Sequence, residues 1–525
     1  MFLKHFYSGA VLSAVGALGF NSHYNDQSCT SATFSALGLP DIEIISLNVT
    51  VSLNESVAGQ NAPGDANIIF APTGNGPSNV DLCRITVKYT HPGQNDTINT
   101  YIGLPLDPTN WNSRFVMNGG GVWVAGTPDV VLEPVSNGFA STSTDGGHDN
   151  SLQVSEWGLT SPGHANIVAL KDFASVALEE AAKLGKSATL LYYGTRPEYS
   201  YWNGCSTGGR QGHMAAQRFP EEFDGIIAGC PAINWDKFPL YEFWPVLMSN
   251  ILDVRPPACV LQAFTSSAIA ACDDLDGVKD GSISLPGQCR FDAMSMVGQT
   301  VNCTAPEGTI QITEKMSELV NFIWDGASSV DGQFEWYVNN CSVTPFTVAD
   351  TWITTFLAQN SSYDLKNMSH AEFDSFFQQS VNQYRSIIGT DDYNLGKLRA
   401  SGTKMITWHG MQDQLIPPNG TIDYYDKVQK NSHNGNVTDY YRLFLAPGVG
   451  HCGLLSTGLD PSNTIFSAIR AWVENGTAPN TIQGTGLAIA PSNTDEIRSI
   501  QLCPYPSILT FTGANPNEAS SFSCV

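Results

Sequence analysis

The sequence predicts an α/β fold in which a parallel β-sheet is covered on both faces by helices. Segments 83–89 and 114–118 are typical of strands, and the apolar residues of 162–184 have helical spacing. A serine flanked by glycines follows in Gly204-Cys-Ser-Thr-Gly208, at the spacing of a sharp turn between a strand and a helix. Further along, an acid and a histidine each come after a predicted strand.

Ser206 is the candidate nucleophile, because its surroundings predict a hydroxyl at the tip of that turn. Segments 189–194 and 199–202 are rich in β-forming residues, and 210–219 is typical of a helix that ends before Pro220. Small neighbours leave room for the strained backbone that such a serine adopts. A glycine-rich surface turn is the alternative, so the motif needs partners elsewhere in the chain.

Asp413 and His451 are the predicted partners. Asp413 follows the buried strand predicted at 405–410, and His451 lies in a glycine-rich loop after the strand predicted at 440–445. The order serine, acid, histidine is that of the α/β-hydrolase fold. In this interpretation His451 takes the proton from Ser206, while Asp413 fixes the imidazole tautomer and stabilises its charged form.

Other histidines and acids compete for these two roles. His409 is close to Asp413 in sequence, but it falls inside a predicted strand, which favours a packed, hydrogen-bonded core residue. Asp423 and Asp426 lie on a predicted helix, farther from the strand end than Asp413. The remaining candidates for the base are His148, His164 and His213.

Two cysteines flank the proposed pair: Cys205 immediately precedes the serine, and Cys452 immediately follows the histidine. If Ser206 and His451 are within hydrogen-bonding reach, these cysteines lie near disulfide distance, with Cα atoms about 4.4 to 6.8 Å apart. A disulfide there would hold the nucleophile and the base in register. The alternative, in which each cysteine pairs elsewhere, stays open.

Cys205-Ser206, Asp413 and His451-Cys452 together resemble the signature of the fungal tannase and feruloyl esterase family. Further segments similar to blocks of that family are 145–149, 204–212 and 218–229. The resemblance covers nearly all of the mature chain. It implies an α/β-hydrolase catalytic domain with a large inserted lid domain, and secreted hydrolysis of hydroxycinnamate or gallate esters.

The predicted domain boundaries follow from this resemblance and from a change of pattern along the chain. From about 231 to 392, aromatic and helical stretches alternate with cysteine-containing loops, which is typical of the lid. The catalytic domain then comprises 20–230 and 393–525, after a signal peptide at 1–19. Most aromatic residues of the lid are predicted to be core, although stacking on a phenolic ring is an alternative role.

Within the predicted lid, the loop 272–282 carries aspartates interleaved with glycine, which suit a hard, oxygen-seeking cation. The spacing does not match an EF-hand loop. The resemblance implies a structural Ca2+ as cofactor, with ligands from the side chains of Asp273, Asp276 and Asp280 and from the backbone carbonyls of Val278 and Ser282. An acidic turn closed by its own hydrogen bonds is the alternative.

All twelve cysteines follow the signal segment, and their even number suits an oxidising compartment. The sequence alone does not fix their connectivity. Local spacing and the family resemblance suggest Cys205–Cys452, Cys272–Cys289, Cys503–Cys524, Cys29–Cys83, Cys303–Cys341 and Cys230–Cys259. No Cys-x-x-Cys pair occurs, which argues against a zinc ribbon or a thioredoxin-like redox motif.

Charge and targeting indicate a secreted protein. A formal net charge of -24, with 14% charged residues, disfavours binding to nucleic acid or to anionic lipid. The segment 1–19 has a basic start and an apolar stretch too short to span a membrane, so it predicts export to the extracellular space. Asn-x-Ser/Thr sequons, such as those at Asn48 and Asn436, are consistent with a glycoprotein. Oligomeric state is not predicted.

The predicted reaction is hydrolysis of a phenolic ester, free or linked to polysaccharide, through an acyl-enzyme on Ser206. The oxyanion hole is predicted from the N–H of Thr207 and an N–H of the loop 119–121, with Gly120 favoured. Adjacent Lys or Arg pairs are absent, whereas some fungal tannases carry a dibasic processing site, which favours a feruloyl esterase. The alternatives are a tannase acting on galloyl esters and a noncatalytic, calcium-stabilised glycoprotein that binds wall polysaccharide.

Overall fold

A computed structural model of the chain describes residues 28–57, 77–148, 152–338, 343, 346–453, 458–489 and 496–525. The predicted signal peptide, 1–19, lies outside these residues. Within the described part, no helix is both long enough and apolar enough to cross a membrane.

One nine-stranded sheet organises the molecule. Its strands in chain order are β1 (Glu43–Ser56), β2 (Asn79–Thr90), β3 (Ile98–Pro105), β4 (Arg114–Asn118), β5 (Ala140–Thr144), β6 (Tyr199–Cys205), β7 (Gly225–Gly229), β8 (Lys404–Gly410) and β9 (Tyr441–Ala446). They lie side by side in the order β1-β2-β3-β5-β4-β6-β7-β8-β9. Neighbours from β5 to β9 are parallel, whereas β1, β2, β3 and β5 pair antiparallel. The α/β fold is therefore confirmed, and the sheet is mixed rather than wholly parallel.

Helices pack on both faces of the sheet. The α-helices are Leu132–Ser136, Val154–Trp157, Ile167–Lys171, Ala177–Tyr193, Thr207–Arg218, Phe238–Tyr241, Trp244–Leu252, Ala258–Cys272, Glu314–Asp325, Thr347–Thr351, His370–Tyr384, Gly396–Ser401, Pro418–Lys430 and Ile465–Asn475. Along β4, Phe115 and Met117 share one core with Leu178, while Val116 shares another with Ile469. Because successive strand residues point to opposite faces, these two cores lie on the two sides of the sheet.

The segment 189–194 is helical, so the prediction of β-structure there is wrong. It forms the end of the helix Ala177–Tyr193, which stops at Gly194 in the left-handed conformation, φ 74°. Thr189 and Tyr192 lie three residues apart on one helical face, and both are buried. Packing of that face against the sheet outweighs the local β preference of the aromatic residues.

The segment predicted as the lid lies between β7 and β8, which are direct neighbours in the sheet. Its contact with the rest of the molecule includes a buried aromatic cluster, in which the Trp123 ring lies 5.1 Å from that of Trp235 and 6.2 Å from that of Trp352. The Trp123 indole N–H also donates to Thr351 at 2.8 Å. These rings are core, as expected for most of the lid's aromatic residues; the domain boundaries themselves stay a prediction.

Four of the predicted disulfides are present among the described residues: Cys29–Cys83, Cys205–Cys452, Cys272–Cys289 and Cys503–Cys524. The pairings Cys230–Cys259 and Cys303–Cys341 are wrong, because Cys259 is bonded to Cys303. Both cysteines pack around a small lid core that contains Val260, and this brings them together. Cys230 follows β7 as a buried free thiol in the core that also contains Val116. Cys341 lies outside the described residues.

Candidate functional site

Ser206 lies between the end of β6 and the start of the helix Thr207–Arg218. Its backbone is in an uncommon region, φ 62° and ψ −124°, and its N–H donates to the carbonyl of Gly229 at 3.0 Å. A Cβ atom on Gly204 would lie 2.7 Å from the backbone of Gly208, so the tight turn requires glycine there. The strained serine and its crowded neighbours are the features predicted for a nucleophile at the tip of a turn.

The glycine loop 119–121 packs directly against this turn. The Gly208 N–H donates to the Gly120 carbonyl at 2.8 Å, and the Thr207 hydroxyl donates to the Val122 carbonyl at 2.7 Å. The Gly120 N–H donates to the side-chain oxygen of Gln211 at 2.9 Å. Gly120 is thus already paired and is not a free oxyanion donor, which corrects the predicted choice within the loop.

Gln211 is a site residue that the sequence did not reveal. Besides accepting from Gly120, its side-chain amide donates to the carbonyl of Ala125 at 3.0 Å, so one buried side chain ties the glycine loop to the segment that follows it. The only feature of the sequence that could have indicated this role is the position of Gln211 in the first turns of the helix that follows Ser206. Thr207 is the first residue of that helix, so its backbone N–H has no acceptor within the helix and stays the predicted oxyanion donor. Gly121 forms an antiparallel bridge with Val124, so the second donor from this loop stays a prediction.

Asp413 lies at the end of a turn after β8, and its side chain is only 1% exposed. One carboxylate oxygen accepts the N–H groups of Leu415 at 2.9 Å and Ile416 at 2.8 Å. The other lies 2.8 Å from Nδ1 of His451 and 3.1 Å from Nε2 of His409. Burial alone would raise the pKa of Asp413, but the positive charge of His451 and the hydrogen bonds from both histidines lower it well below its usual value.

His451 lies in the loop after β9, with 7% of its side chain exposed. Asp413 is an acceptor, so Nδ1 of His451 carries the proton in their hydrogen bond. This tautomer leaves a lone pair on Nε2 of the neutral ring. The backbone N–H of His451 also donates to the side chain of Gln414 at 3.0 Å. The structure therefore brings the predicted acid and base together and orients the ring for proton transfer.

The disulfide Cys205–Cys452 connects the turn that carries Ser206 to the loop that carries His451, with Cα atoms 6.0 Å apart. It encloses a sequence separation of 247 residues, so it links distant parts of the chain at the site itself. The Cys230 thiol lies beneath it and accepts the Cys452 N–H at 3.3 Å. Burial raises the pKa of the Cys230 thiol well above its usual value, which makes it a poor nucleophile.

His409 is a fully buried, hydrogen-bonded residue of β8, as predicted, and it also contacts the acid. Its Nε2 lies 3.1 Å from the Asp413 carboxylate and 3.0 Å from the Ile416 carbonyl. Both partners are acceptors, so Nε2 carries the proton. On the other side of the ring, the Thr421 hydroxyl lies 2.9 Å from Nδ1 and donates to it when the ring is neutral. His409 is therefore a second donor to the carboxylate that orients His451.

The other competitors are engaged elsewhere. Asp423 and Asp426 pair with lysines of their own helix, Lys427 at 2.7 Å and Lys430 at 3.7 Å. The remaining histidines contact other groups: His148 lies 2.6 Å from the Trp123 carbonyl, His164 lies 3.1 Å from the Ser161 hydroxyl, and His213 lies 3.1 Å from the Thr407 hydroxyl. Burial lowers the pKa of His213 to about 3, so it stays neutral.

The predicted calcium loop presents carboxylates to a cavity of about 20 Å³, roughly the size of one water molecule or ion. Asp276, Val278 and Asp280 line this cavity together with Arg498, which donates to Asp280 at 3.2 Å. The Ser282 hydroxyl is buried without a partner among the described residues. The two carboxylates suit a calcium ion, while the rest of the lining consists of Ser284, Arg498 and apolar side chains.

The Asp273 carboxylate also shapes this loop, because it accepts the N–H groups of Asp280, Gly281 and Ser282 at 3.1 to 3.2 Å, and its role as a ligand stays a prediction. It closes the turn that presents the other acids. The loop is also near the acid in space, although it is far away in sequence. The Gln412 side chain, next to Asp413, donates to the Gly281 carbonyl at 3.3 Å.

Known proteins resemble this chain over most of its length. The family model described as tannase and feruloyl esterase matches residues 83–342 and 333–525. A probable feruloyl esterase of Arthroderma benhamiae is 37% identical over 477 residues, covering 87% of this chain and 88% of that protein. A tannase of Aspergillus oryzae is 27% identical over 514 residues, covering 85% of each protein. The solved structure of a tannin acyl hydrolase from Aspergillus niger matches with a TM-score of 0.80 at 26% identity, covering 95% of each chain.

Proposed function

The chain belongs to the tannase and feruloyl esterase family, and from this premise we propose that it is a secreted serine esterase that cleaves feruloyl esters. Membership makes it a carboxylic ester hydrolase, which excludes the noncatalytic alternative. The proposal is carried by one observation: the imidazole bonded to Asp413 lies on a loop whose Cys452 is disulfide-bonded to Cys205, the residue before Ser206.

In the acylation step, the Ser206 oxygen attacks the ester carbonyl while its proton passes to Nε2 of His451. Asp413 keeps the other ring proton on Nδ1 and stabilises the imidazolium that forms. The tetrahedral intermediate then collapses as the bond from carbon to the alcohol oxygen breaks. His451 returns its proton to the departing alcohol, which leaves the aromatic acyl group on Ser206.

Deacylation repeats these roles with water as the nucleophile. His451 takes a proton from water as the water oxygen attacks the acyl carbon, and the Ser206 oxygen leaves with that proton. The N–H of Thr207 and a second N–H from the loop 119–121 serve as donors to the oxyanion of both intermediates, each worth about 2.7 to 4 kcal/mol if removed. Gln211 positions the glycine loop for this purpose through its contacts with Gly120 and Ala125.

A structural calcium ion completes the proposed enzyme. Asp273, Asp276 and Asp280 would hold it together with the backbone carbonyls of Val278 and Ser282, and Asp273 would also shape the turn around it. The ion would neutralise the clustered carboxylates and stiffen the loop that Gln412 contacts beside the acid.

The proposed substrate rests on which relatives share the higher sequence identity with this chain. The 37% identity to a probable feruloyl esterase exceeds the 27% identity to a tannase, which favours a hydroxycinnamoyl ester of plant cell-wall polysaccharide. The likeness to a tannin acyl hydrolase keeps galloyl esters as the second candidate. Both substrates place an aromatic acyl group on Ser206. The two candidates therefore differ in the pocket that binds the acyl group and share the same reaction steps.

The test compares turnover of methyl ferulate, methyl caffeate and methyl gallate by the secreted protein and by its Ser206→Ala variant. A feruloyl esterase gives a kcat/KM on methyl ferulate that exceeds the value on methyl gallate by more than about tenfold, and the variant loses activity on every ester. The reverse preference would establish the tannase alternative. An active Ser206→Ala enzyme would refute the serine mechanism.

A further inference from the structure

A second group of ionisable side chains, outside the proposed triad, meets where the β2–β3 turn touches a helix. His91 and Asp96 belong to that turn, Asp172 begins the π-helical segment Asp172–Val176, and Glu180 lies on the helix that follows. We call these four residues the His91 cluster. One ligand atom from each of His91, Asp96 and Asp172 lies within 4.8 Å of the other two.

Most members of the His91 cluster have hydrogen-bond partners. His91 Nδ1 lies 2.5 Å from Asp96, and its Nε2 lies 2.7 Å from Glu180. Asp96 also accepts the Thr90 hydroxyl and the His91 N–H, each at 2.8 Å. The second oxygen of Glu180 accepts the Tyr89 hydroxyl at 2.9 Å. These contacts hold the imidazole in a fixed orientation between two carboxylates.

Asp172 is the exception. Its side chain is 2% exposed, and its Oδ2 atom has no hydrogen-bond partner within the part of the chain that the structure describes. A buried carboxylate without a donor is costly. Among the described residues, no Lys or Arg forms an ion pair with any member of the His91 cluster. Three carboxyl groups therefore gather around a single imidazole.

The backbone at Asp172 supports a role beyond packing. The segment Asp172–Val176 is a π-helical turn between the helices Ile167–Lys171 and Ala177–Tyr193, and Asp172, Phe173, Ala174 and Ser175 are all buried. A single π-turn inside a longer helix adds a residue to the turn and is found frequently at functional sites. Here the wider turn coincides with the position at which Asp172 meets the carboxylate of Asp96 and the imidazole of His91.

We propose that His91, Asp96 and Asp172 bind a zinc ion, with Glu180 as the outer partner of the histidine. One imidazole nitrogen and two carboxylates are ligands that zinc accepts in a four-coordinate site whose last position is filled by water. Calcium is disfavoured because it takes oxygen ligands. Nδ1 now shares a proton with Asp96 at 2.5 Å, and this proton would leave to solvent when Nδ1 and Asp96 take up the ion, while Nε2 keeps its proton and donates it to Glu180. Such a histidine held by an outer carboxylate is the usual arrangement at metal sites.

The ion would account for two features of the cluster, the unpaired Asp172 oxygen and the close approach of several carboxyl groups. It would supply a partner for the unpaired oxygen of Asp172 and stabilise the ionised forms of the carboxyl groups gathered there. It also joins the β2–β3 turn to the helix Ala177–Tyr193, so its expected effect is on stability. This site is independent of the proposed esterase reaction and of the calcium loop.

Isothermal titration calorimetry tests the site with zinc chloride as the probe. The full secreted chain, without a histidine tag, is stripped of metal and then given excess calcium to fill the lid loop. We expect one zinc site in the wild type, an affinity lower by at least about tenfold in Asp172→Asn, and unchanged binding in Glu179→Gln. Glu179 is a suitable control because it is an acid of the same helix that is paired with Lys183 at 2.5 Å.

Thermal unfolding of the same proteins gives an independent readout. Zinc should raise the Tm of the wild type and of Glu179→Gln and leave that of Asp172→Asn unchanged. Without metal, Asp172→Asn should unfold at or above the wild-type temperature, because an amide replaces a buried carboxyl group whose Oδ2 has no donor. If Asp172→Asn does not fold, His91→Gln takes its place in both experiments. A wild type that binds no zinc, or an Asp172→Asn variant that binds it as tightly, would overturn the proposal and indicate that Asp172 is held as a neutral acid.

Discussion

Asp413 and Asp172 are buried to almost the same degree, 1% and 2% exposed, yet their surroundings differ completely. Asp413 accepts hydrogen bonds from two backbone N–H groups and two histidines, whereas Oδ2 of Asp172 has no partner among the described residues. Burial raises the pKa of Asp172 to about 7, with a further contribution from Asp96, while the donors around Asp413 keep that acid ionised. The comparison teaches that the donors around a buried acid, and not its burial, decide whether it carries charge.

The largest expected effect comes from neutralising Asp413, the acid with four hydrogen-bond donors. Asp413→Asn should lower kcat by about 10⁴-fold, because the amide favours the wrong tautomer of His451 and does not stabilise its charged form. Asp423→Asn, a change on a nearby helix in an exposed pair with Lys427, should stay within about twofold of the wild type. The measurement is the rate of methyl ferulate hydrolysis by both variants. Equal losses would show that Asp413 has no special role.

The next effect concerns the link between the two loops of the site. Replacing both Cys205 and Cys452 by serine should lower kcat/KM by about 10²-fold, because small displacements of base from nucleophile are costly. The control removes Cys503–Cys524, which closes a separation of only 21 residues near the C-terminus.

Both double variants should also lose stability in urea, by about 5 kcal/mol for the long loop and about 3 kcal/mol for the short one. Activity should fall only in the first. If the folded Cys205→Ser/Cys452→Ser protein kept wild-type kcat/KM at low temperature, the disulfide would be a stabilising bond and not a positioning device.

A smaller effect tests the second histidine at Asp413. His409→Phe removes one donor, so the pKa of Asp413 should rise and the carboxylate should stabilise protonated His451 more strongly. The acidic limb of the pH profile of kcat/KM should then move to higher pH, with a loss of about tenfold near that limb. His409→Gln, which keeps a side-chain N–H, should move it less. If the acidic limb of His409→Phe did not shift, His409 would have only a packing role and no effect on the charge of Asp413.

The smallest effect is expected at the predicted calcium loop of the lid. Asp280 there accepts a hydrogen bond from Arg498, so it has more support than Asp172 and less than Asp413. Chelation with EGTA should lower the Tm of the wild type by a few degrees, about 1 to 2 kcal/mol of stability. Asp276→Asn should make the Tm insensitive to EGTA, because Asp276 lines the cavity. Asp274→Asn should behave as the wild type, because Asp274 is largely exposed beside Lys279. Identical responses of all three would exclude calcium from this loop.

The sequence was most informative where local chemistry leaves few choices. The glycines around Ser206 and the strands before Asp413 and His451 follow from spacing and turn geometry, and the pairing of Cys205 with Cys452 follows if the serine and the histidine meet. The helix at 189–194 was not predictable in this way, because its burial against the sheet overrides a β-rich composition.

Contacts between distant segments account for the rest. Gln211 reaches the glycine loop across the site, and His409 reaches Asp413 through a turn, and neither contact has a distinctive motif. The pairing of Cys259 with Cys303 depends on how a small lid core packs, which spacing does not encode. The unpaired Asp172 appears only when the β2–β3 turn and the π-helical segment are placed together.

The central claim is that Ser206 is the nucleophile. Its most direct test is peptide mapping by mass spectrometry after inactivation with diethyl p-nitrophenyl phosphate, a reagent that phosphorylates activated serines. We predict one label per chain, on Ser206, appearing in step with the loss of methyl ferulate hydrolysis and absent from Ser206→Ala. A label on another residue, or full activity in a protein labelled at Ser206, would contradict the account.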